Sequence, residues 1–261
     1  MTIPSPARYR ASVAALTLLA AIGLPAAAQS PTTQMPEGTT DVDLSLIAAL
    51  VPVSEGRSAM KAIVLPSISA QWSNGIFAEP GELGMQLSED PMLKFGPVLS
   101  YGTRSRRADD REDKLRLGIE VGAFAHYQWA HNIGLHSSVM YGGGDERSGV
   151  RLNLGASYGM RLSTHQSLNA NLGMNLVNKG FMQSSFGISA EQAARSRRQA
   201  YQARAGIKNI DLTLRWNVDL STKYALSSGV NVSRLMGSAA DSPLTDSPHN
   251  VAVFTALTYH W

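Results

Sequence analysis

The chain has 261 residues, 44% of them hydrophobic, with 23 Lys and Arg against 20 Asp and Glu and no Cys. The missing thiol excludes disulfides, thiolate metal sites and attachment of lipid to an N-terminal Cys. Setting aside Arg8 and Arg10, which lie in a leader, leaves 21 basic against 20 acidic residues, a balance that gives no argument for nucleic acid.

From the N-terminus, Arg8 and Arg10 form a basic region, Ala11 to Leu24 is apolar, and Ala26, Ala27 and Ala28 give a small-residue cleavage pattern before Gln29. Residues 1–28 therefore read as a secretory signal peptide, their apolar core being too short and too rich in small residues for an anchor. Residues 29–40, rich in Pro, Thr and Gln, read as a structureless periplasmic leader. The remaining 41–261 reads as one domain of alternating strands. It has no apolar run of ~18 residues, so a bilayer-spanning form must be a closed barrel, because open sheet edges cannot face lipid.

Period-2 alternation dominates from Val42 onward. It is clearest where Leu212, Leu214, Trp216, Val218 and Leu220 alternate with Asp211, Thr213, Arg215, Asn217 and Asp219. Twelve strands are expected, over 41–51, 60–72, 75–80, 82–88, 92–104, 114–129, 132–141, 147–162, 166–177, 205–220, 223–235 and 249–261. The third and fourth are short and poorly patterned, so ten strands is an alternative. Strands of ten residues or more exceed the ~5–6 typical of soluble sheets. The connections also alternate. Short turns such as Ser73–Gly75, Ala130–His131 and Ser221–Thr222 face long ones at Pro52–Ala59, Arg104–Asp113, Asn178–Arg204 and Met236–Pro248. Short turns inside and long loops outside is the pattern of an outer-membrane barrel.

Trp72, Tyr101, Tyr127, Trp129, Tyr141, Tyr224, Tyr259 and Trp261 fall near the ends of outward rows, where an interfacial girdle belongs. The last strand, Asn250 to Trp261, puts Val251, Val253, Leu257, Tyr259 and Trp261 on one face. It reads as the strand that closes the barrel onto 42–51, with Tyr259 and Trp261 as the signal to the barrel-assembly machinery.

The inward polar set, Arg116, Glu120, His126, Arg151, Arg161, Asp211, Arg215 and Asp219, is the candidate lumen lining. Both signs are present, so mutual pairing in a narrow lumen competes with a charge-selective pore. In the long connection before residue 205, Ser189 and Gln192 form a capping box that predicts a short helix over 190–195. Arg195, Arg197 and Arg198 beside it are candidate contacts for lipopolysaccharide phosphates. The mixed run Arg104–Asp113 reads as a solvated loop tip, and Gly142–Glu146 as a hairpin. Catalysis is not expected. Gln71–Gly75 resembles an outer-membrane phospholipase signature with Gln71 in the place of the His, and a carboxamide cannot take a proton from Ser73. His126, His131 and His136 are five apart, a spacing that puts successive ones on opposite faces of a strand, so no metal site is expected.

Three segments carry a resemblance: Ser185–Ser196 followed by Ala205–Asn209, Arg234–Leu244 before the last strand, and Lys94–Gly102 before the charged loop. With the ending Tyr259, His260 and Trp261 they resemble the MltA-interacting protein (MipA/OmpV) family of outer-membrane proteins. The chain departs from the family pattern at Val51–Gly56, which lacks an aromatic common there. The resemblance implies an all-β, closed antiparallel transmembrane barrel with no enzymatic activity and no cofactor. It implies a scaffold linking a peptidoglycan transglycosylase to a penicillin-binding protein, or else a narrow porin-like channel or a surface adhesin. Outer-membrane lipid and lipopolysaccharide complete the expected partners.

Overall fold

The computed structural model describes residues 36–104, 116–143, 149–195 and 198–261. The expected signal peptide, the rest of the leader before Pro36, Arg197 and most of the Arg104–Asp113 and Gly142–Glu146 loops lie outside the described residues. Pro36 to Thr39 form a turn, in which the Gly38 amide donates to Ser73 Oγ at 3.0 Å.

Twelve antiparallel strands close into one barrel. They are β1 (Thr40–Pro52), β2 (Met60–Trp72), β3 (Ile76–Glu79), β4 (Glu82–Met85), β5 (Leu93–Arg104), β6 (Arg116–Ala130), β7 (Ile133–Gly143), β8 (Gly149–Ser163), β9 (Gln166–Val177), β10 (Gly206–Asp219), β11 (Tyr224–Leu235) and β12 (His249–His260). Each strand pairs with its sequence neighbours, and β12 returns to β1 in a register running from Asp43↔His260 to Leu50↔Val253. Among the described residues three helices sit in the long connections: α1 (Lys179–Phe186), α2 (Ala190–Arg195) and the single turn α3 (Gly237–Ala240). No helix among the described residues is long and apolar enough to cross a membrane.

The alternation produces two chemically distinct faces. On β12, Val251, Val253 and Leu257 are exposed while Ala252, Phe254 and Ala256 are buried. At ~3.3 Å per residue, the strands of 11–15 residues are long enough to cross a ~30 Å hydrocarbon layer at a barrel's tilt. Trp72, Trp129, Tyr224 and Trp261 are exposed at the rim of short turns; Tyr101 and Tyr141 are exposed near the opposite rim. The Tyr224 and Tyr259 rings lie 5.2 Å apart across the β11–β12 pair.

The third and fourth strands are real but only four residues each, which settles the count at twelve rather than ten. β3 meets β2 at just Ala70↔Ala78 and Gln71↔Phe77, and β4 meets β5 at Glu82↔Ser100, Leu83↔Leu99 and Gly84↔Val98. Gly96 on β5 permits the approach of the chain leaving β4: a Cβ there would overlap the Met85 carbonyl oxygen. The Ser73–Gly75 turn is a three-residue connection with Gly75 at φ +85°.

Candidate functional site: the inner wall and its cap

The inner wall has two chemically different halves. From β7 to β11 amides and hydroxyls bond to one another, between the inward Arg151, Asp211 and Arg215. Asn153 Nδ2 donates to Ser138 Oγ at 2.8 Å, Asn231 Nδ2 to Thr213 Oγ1 at 2.8 Å, and Ser227 Oγ to Asn217 Oδ1 at 2.8 Å. Ser157, Asn169 and Asn171 share this face and are half-buried. From β12 through β1 to β2 the inner wall is apolar: Ile47, Ala49, Val51, Ala252, Phe254 and Ala256 are buried, with Ile63 and Leu65 against them. This half lies apart from the polar set that alternation assigns to the lumen. The signal for it was present, because Ile63, Val64 and Leu65 are apolar on both faces of one strand.

The charged candidates divide by position. Glu120 and Arg151 face inward and form an ion pair at 2.8 Å. Arg215 is buried, and its guanidinium lies 5.5 Å from the centre of the Phe254 ring. Gly229 makes that contact possible: it is in register with both Arg215 and Phe254, and a Cβ there would come within 2.6 Å of the ring. Asp211 faces inward opposite Gly173 and accepts from Asn209 Nδ2 at 3.3 Å. Arg161 and Asp219 stand exposed at the rim of short turns, apart from the rest. The backbone of Arg116 begins β6, and its side chain is not among those described. Lys208, which alternation missed, is buried and pairs with Glu55 at 2.7 Å; a bulge between Ile207 and Asn209 turns it inward.

His126 and His136 are brought together rather than kept apart. The β6–β7 hairpin turns near His131, so residues equally distant from it face each other, and the two rings lie 6.1 Å apart. Five-residue spacing fixes faces only along one strand; across a hairpin the position of the turn decides which residues meet. Among the described residues no group of three His, Cys, Asp or Glu side chains is arranged to hold a metal ion.

At the rim of long loops a cap stands over the β8–β1 half. Asn178 caps α1 by accepting from the Phe181 amide at 3.0 Å. Met182 and Phe186 of α1 pack with Val177, Ala203, Leu235 and Ala239 into a core separate from the barrel wall. Ser242 Oγ donates to the Phe186 carbonyl at 2.6 Å, and Tyr201 Oη to the Ser238 carbonyl at 3.0 Å. The β1–β2 connection joins the cap through the Asp246 amide to the Gly56 carbonyl at 2.7 Å, and through Arg57 to Asp246 at 3.0 Å. The capping box forms as its sequence suggests: the Gln192 amide donates to Ser189 Oγ at 3.2 Å, and the Ser189 amide to Gln192 Oε1 at 3.0 Å. Arg195 is exposed at the end of α2, and Arg198 is half-buried beyond it.

A closed antiparallel barrel with an apolar outer face, aromatic rims, short turns at one rim and long loops at the other is an outer-membrane β-barrel. The chain belongs to the MltA-interacting protein MipA family, whose model matches residues 44–261. No curated protein matches it. Among solved structures it is similar to the NanC porin, at 7% identity and a TM-score of 0.52 over 83% of this chain and 98% of that one. It also aligns with an outer membrane channel from Pseudomonas putida F1, at 10% identity and a TM-score of 0.46 over 87% and 97% of the two chains. The matching family is not of an enzymatic kind.

Proposed function

We propose that the protein is a non-enzymatic binding barrel of the bacterial outer membrane that holds a peptidoglycan-processing enzyme at its periplasmic rim of short turns. The carrying observation is that amides and hydroxyls of the inner wall bond to one another and Glu120 pairs with Arg151, while a folded cap with its own core stands over one half of the outer mouth. Such a lumen suits a rigid mount better than a wide solute path. The name of the matching family, MltA-interacting protein, supports an enzyme of murein turnover as the partner, with a murein-synthesising enzyme as a second. Export by cleavage after residue 28, and delivery to the assembly machinery through Tyr259 and Trp261, belong to the same reading. The exposed Arg195 and half-buried Arg198 suit contacts with lipopolysaccharide phosphates.

A narrow channel is the second reading, favoured by the half-buried Ser157, Asn169 and Asn171, which offer neutral polar groups to a thread of water. Planar-bilayer recording of the purified barrel, combined with cross-linking in intact cells, separates the two. The binding reading expects no stepwise conductance and recovery of a lytic transglycosylase or penicillin-binding protein. Discrete conductance steps with neither enzyme recovered would reject it.

A further inference from the structure

Among the described residues, one stretch of the barrel wall is unpaired. β2 is paired with β1 along its whole length, from Thr40↔Trp72 to Pro52↔Met60, but β3 covers its other edge only at Ala70 and Gln71. From Met60 to Ser69 no strand among the described residues pairs with that edge. The side chains register the difference: Val64 and Ile68 are 64% and 63% exposed, against 44% for the outward Val232 and Val253 on fully paired strands.

The gap lies within the membrane. Trp72 marks the inner interface on β2, and a strand crosses the bilayer in ~9–11 residues, so the free edge falls in the hydrocarbon layer over much of its length. On the other side, the Tyr101 amide donates to the Gly81 carbonyl at 2.7 Å, which sets the tip of the β3–β4 hairpin beside an outer-interface aromatic. Strands in a barrel are tilted, so a rung that reaches the outer interface on β5 meets β2 near the inner one. The opening is a wedge in the outer-leaflet half. Three inter-strand spacings of ~4.8 Å give its base a width of roughly 14 Å.

An open edge in hydrocarbon leaves backbone N–H and C=O groups without partners, at a cost of several kcal/mol each by general transfer arguments. Such an edge needs a polar group beside it, while its flanks call for apolar contact. Outward lie Val64, Ile68 and Leu83. Inward, Ile63 and Leu65 lead to the buried patch of Ile47, Ala49, Val51 and Phe254. Ser67 and Ser69 line the inner side of the edge, and Glu79 and Glu82 face one another on the rung at the hairpin tip. An apolar tail fits the first two surfaces, and a cationic head fits the carboxylates.

The geometry points to a lateral portal between β2 and the β3–β4 tip, through which a single-chain amphiphile with an ammonium head passes between the outer leaflet and the lumen. Neither half of this assignment depends on an enzyme docking at the other rim.

The chain has no cysteine, so the portal can be closed after folding. The full mature barrel carrying Ser67→Cys is reconstituted in vesicles of phosphatidylethanolamine and phosphatidylglycerol, and its fold is checked by heat-modifiable mobility. It is then exposed to a diazirine-bearing alkylamine, with or without prior alkylation by a bulky maleimide, and cross-links are mapped by mass spectrometry. Cross-links are expected at the inward Ile63, Leu65 and Phe254. Blocking should reduce them at least tenfold and leave those at the outward Leu212, on the far wall, unchanged. Ser69→Cys serves as an independent second position. Cross-links confined to outward residues, or inward ones unaffected by either block, would overturn the portal. An alkanoate of equal chain length that labels the inward sites as strongly would overturn the ammonium head.

Discussion

Met182 offers the most direct test of how the cap is built. Its side chain is 1% exposed and packs with Phe186, Ala203 and Leu235, so Met182→Ala removes three heavy atoms from a filled space. Changes of this type cost about 2–5 kcal/mol through lost transfer energy and the cavity left behind. The cap core belongs to the loops, with only Val177 and Leu235 contributed by strand ends, so the loss should fall on the cap rather than on barrel closure. A penalty of about 3 kcal/mol raises the open fraction of the cap roughly a hundredfold, at 1.4 kcal/mol per decade. Hydrogen exchange of the amides in 179–195 and 198–205 should accelerate by about that factor. The central amides of β10 and β11, held by rungs such as Leu212↔Val232 and Leu214↔Val230, should not change. In planar bilayers the same variant should show conductance that the parent lacks, if the cap limits access to the lumen. Equal acceleration in β10 and β11 would refute the separation of cap from wall. Unchanged exchange in the cap would refute the claim that Met182 holds it.

The Glu120–Arg151 pair is mostly withdrawn from water, with side-chain exposures of 11% and 27%. Glu120→Ala should cost on the order of 3 kcal/mol by removing the carboxylate hydrogen-bonded to the guanidinium, whereas replacing both residues by Met should recover at least half of it. Urea unfolding in vesicles measures this, and simple additivity of the single changes would contradict the pairing. At Gly96, even Ala meets the Met85 carbonyl oxygen, so Gly96→Ala should sharply reduce the heat-modifiable folded fraction, while Ala48→Gly on the lipid side of β1 should leave it nearly intact. Deleting Tyr259 to Trp261 removes Leu44↔Tyr259, Asp43↔His260 and the Trp261 amide bond to the Val42 carbonyl at 2.9 Å. Membrane insertion should then fall several-fold while export persists, as read from the periplasmic and membrane fractions; full insertion would dissociate this end from assembly.

The walls were legible because their physics is local. Leu212 to Asp219 and Val251 to Trp261 alternate since one face meets lipid and the other the lumen, and that period survives without knowledge of partners. The capping box was legible for the same reason, since Ser189 and Gln192 satisfy each other within one turn. What escaped depends on contacts distant in sequence. Lys179 to Phe186 carries no charge pattern along a helical face, and only the company of Leu235 and Ala239 makes Met182 and Phe186 a core. The Arg215–Phe254 contact needs three strands and Gly229 between them, so neither residue announces the other. Alternation placed His126 and His136 by one strand's period, when the hairpin's symmetry governs which residues meet.

The uneven wall leads to one more measurable consequence. β1 and β12 are joined from Asp43↔His260 to Leu50↔Val253, and β9 to β10 from Gly206↔Val177 to Val218↔Gln166; opening any such seam breaks many rungs together. β3 is held to β2 by two rungs and β4 to β5 by three, so the β3–β4 hairpin can open without disturbing the remaining strands. Local opening free energy follows the number of rungs lost, and the hairpin should therefore be the least protected part of the wall. Hydrogen exchange in vesicles should show amides of Ile76–Met85 exchanging by orders of magnitude faster than those of β9–β12. Free-edge amides of β2 should exchange fast only where water reaches them. Protection at Ile76–Met85 equal to that of β10 would mean that the wall is as continuous there as elsewhere, and the wedge between β2 and β5 would then have no physical basis.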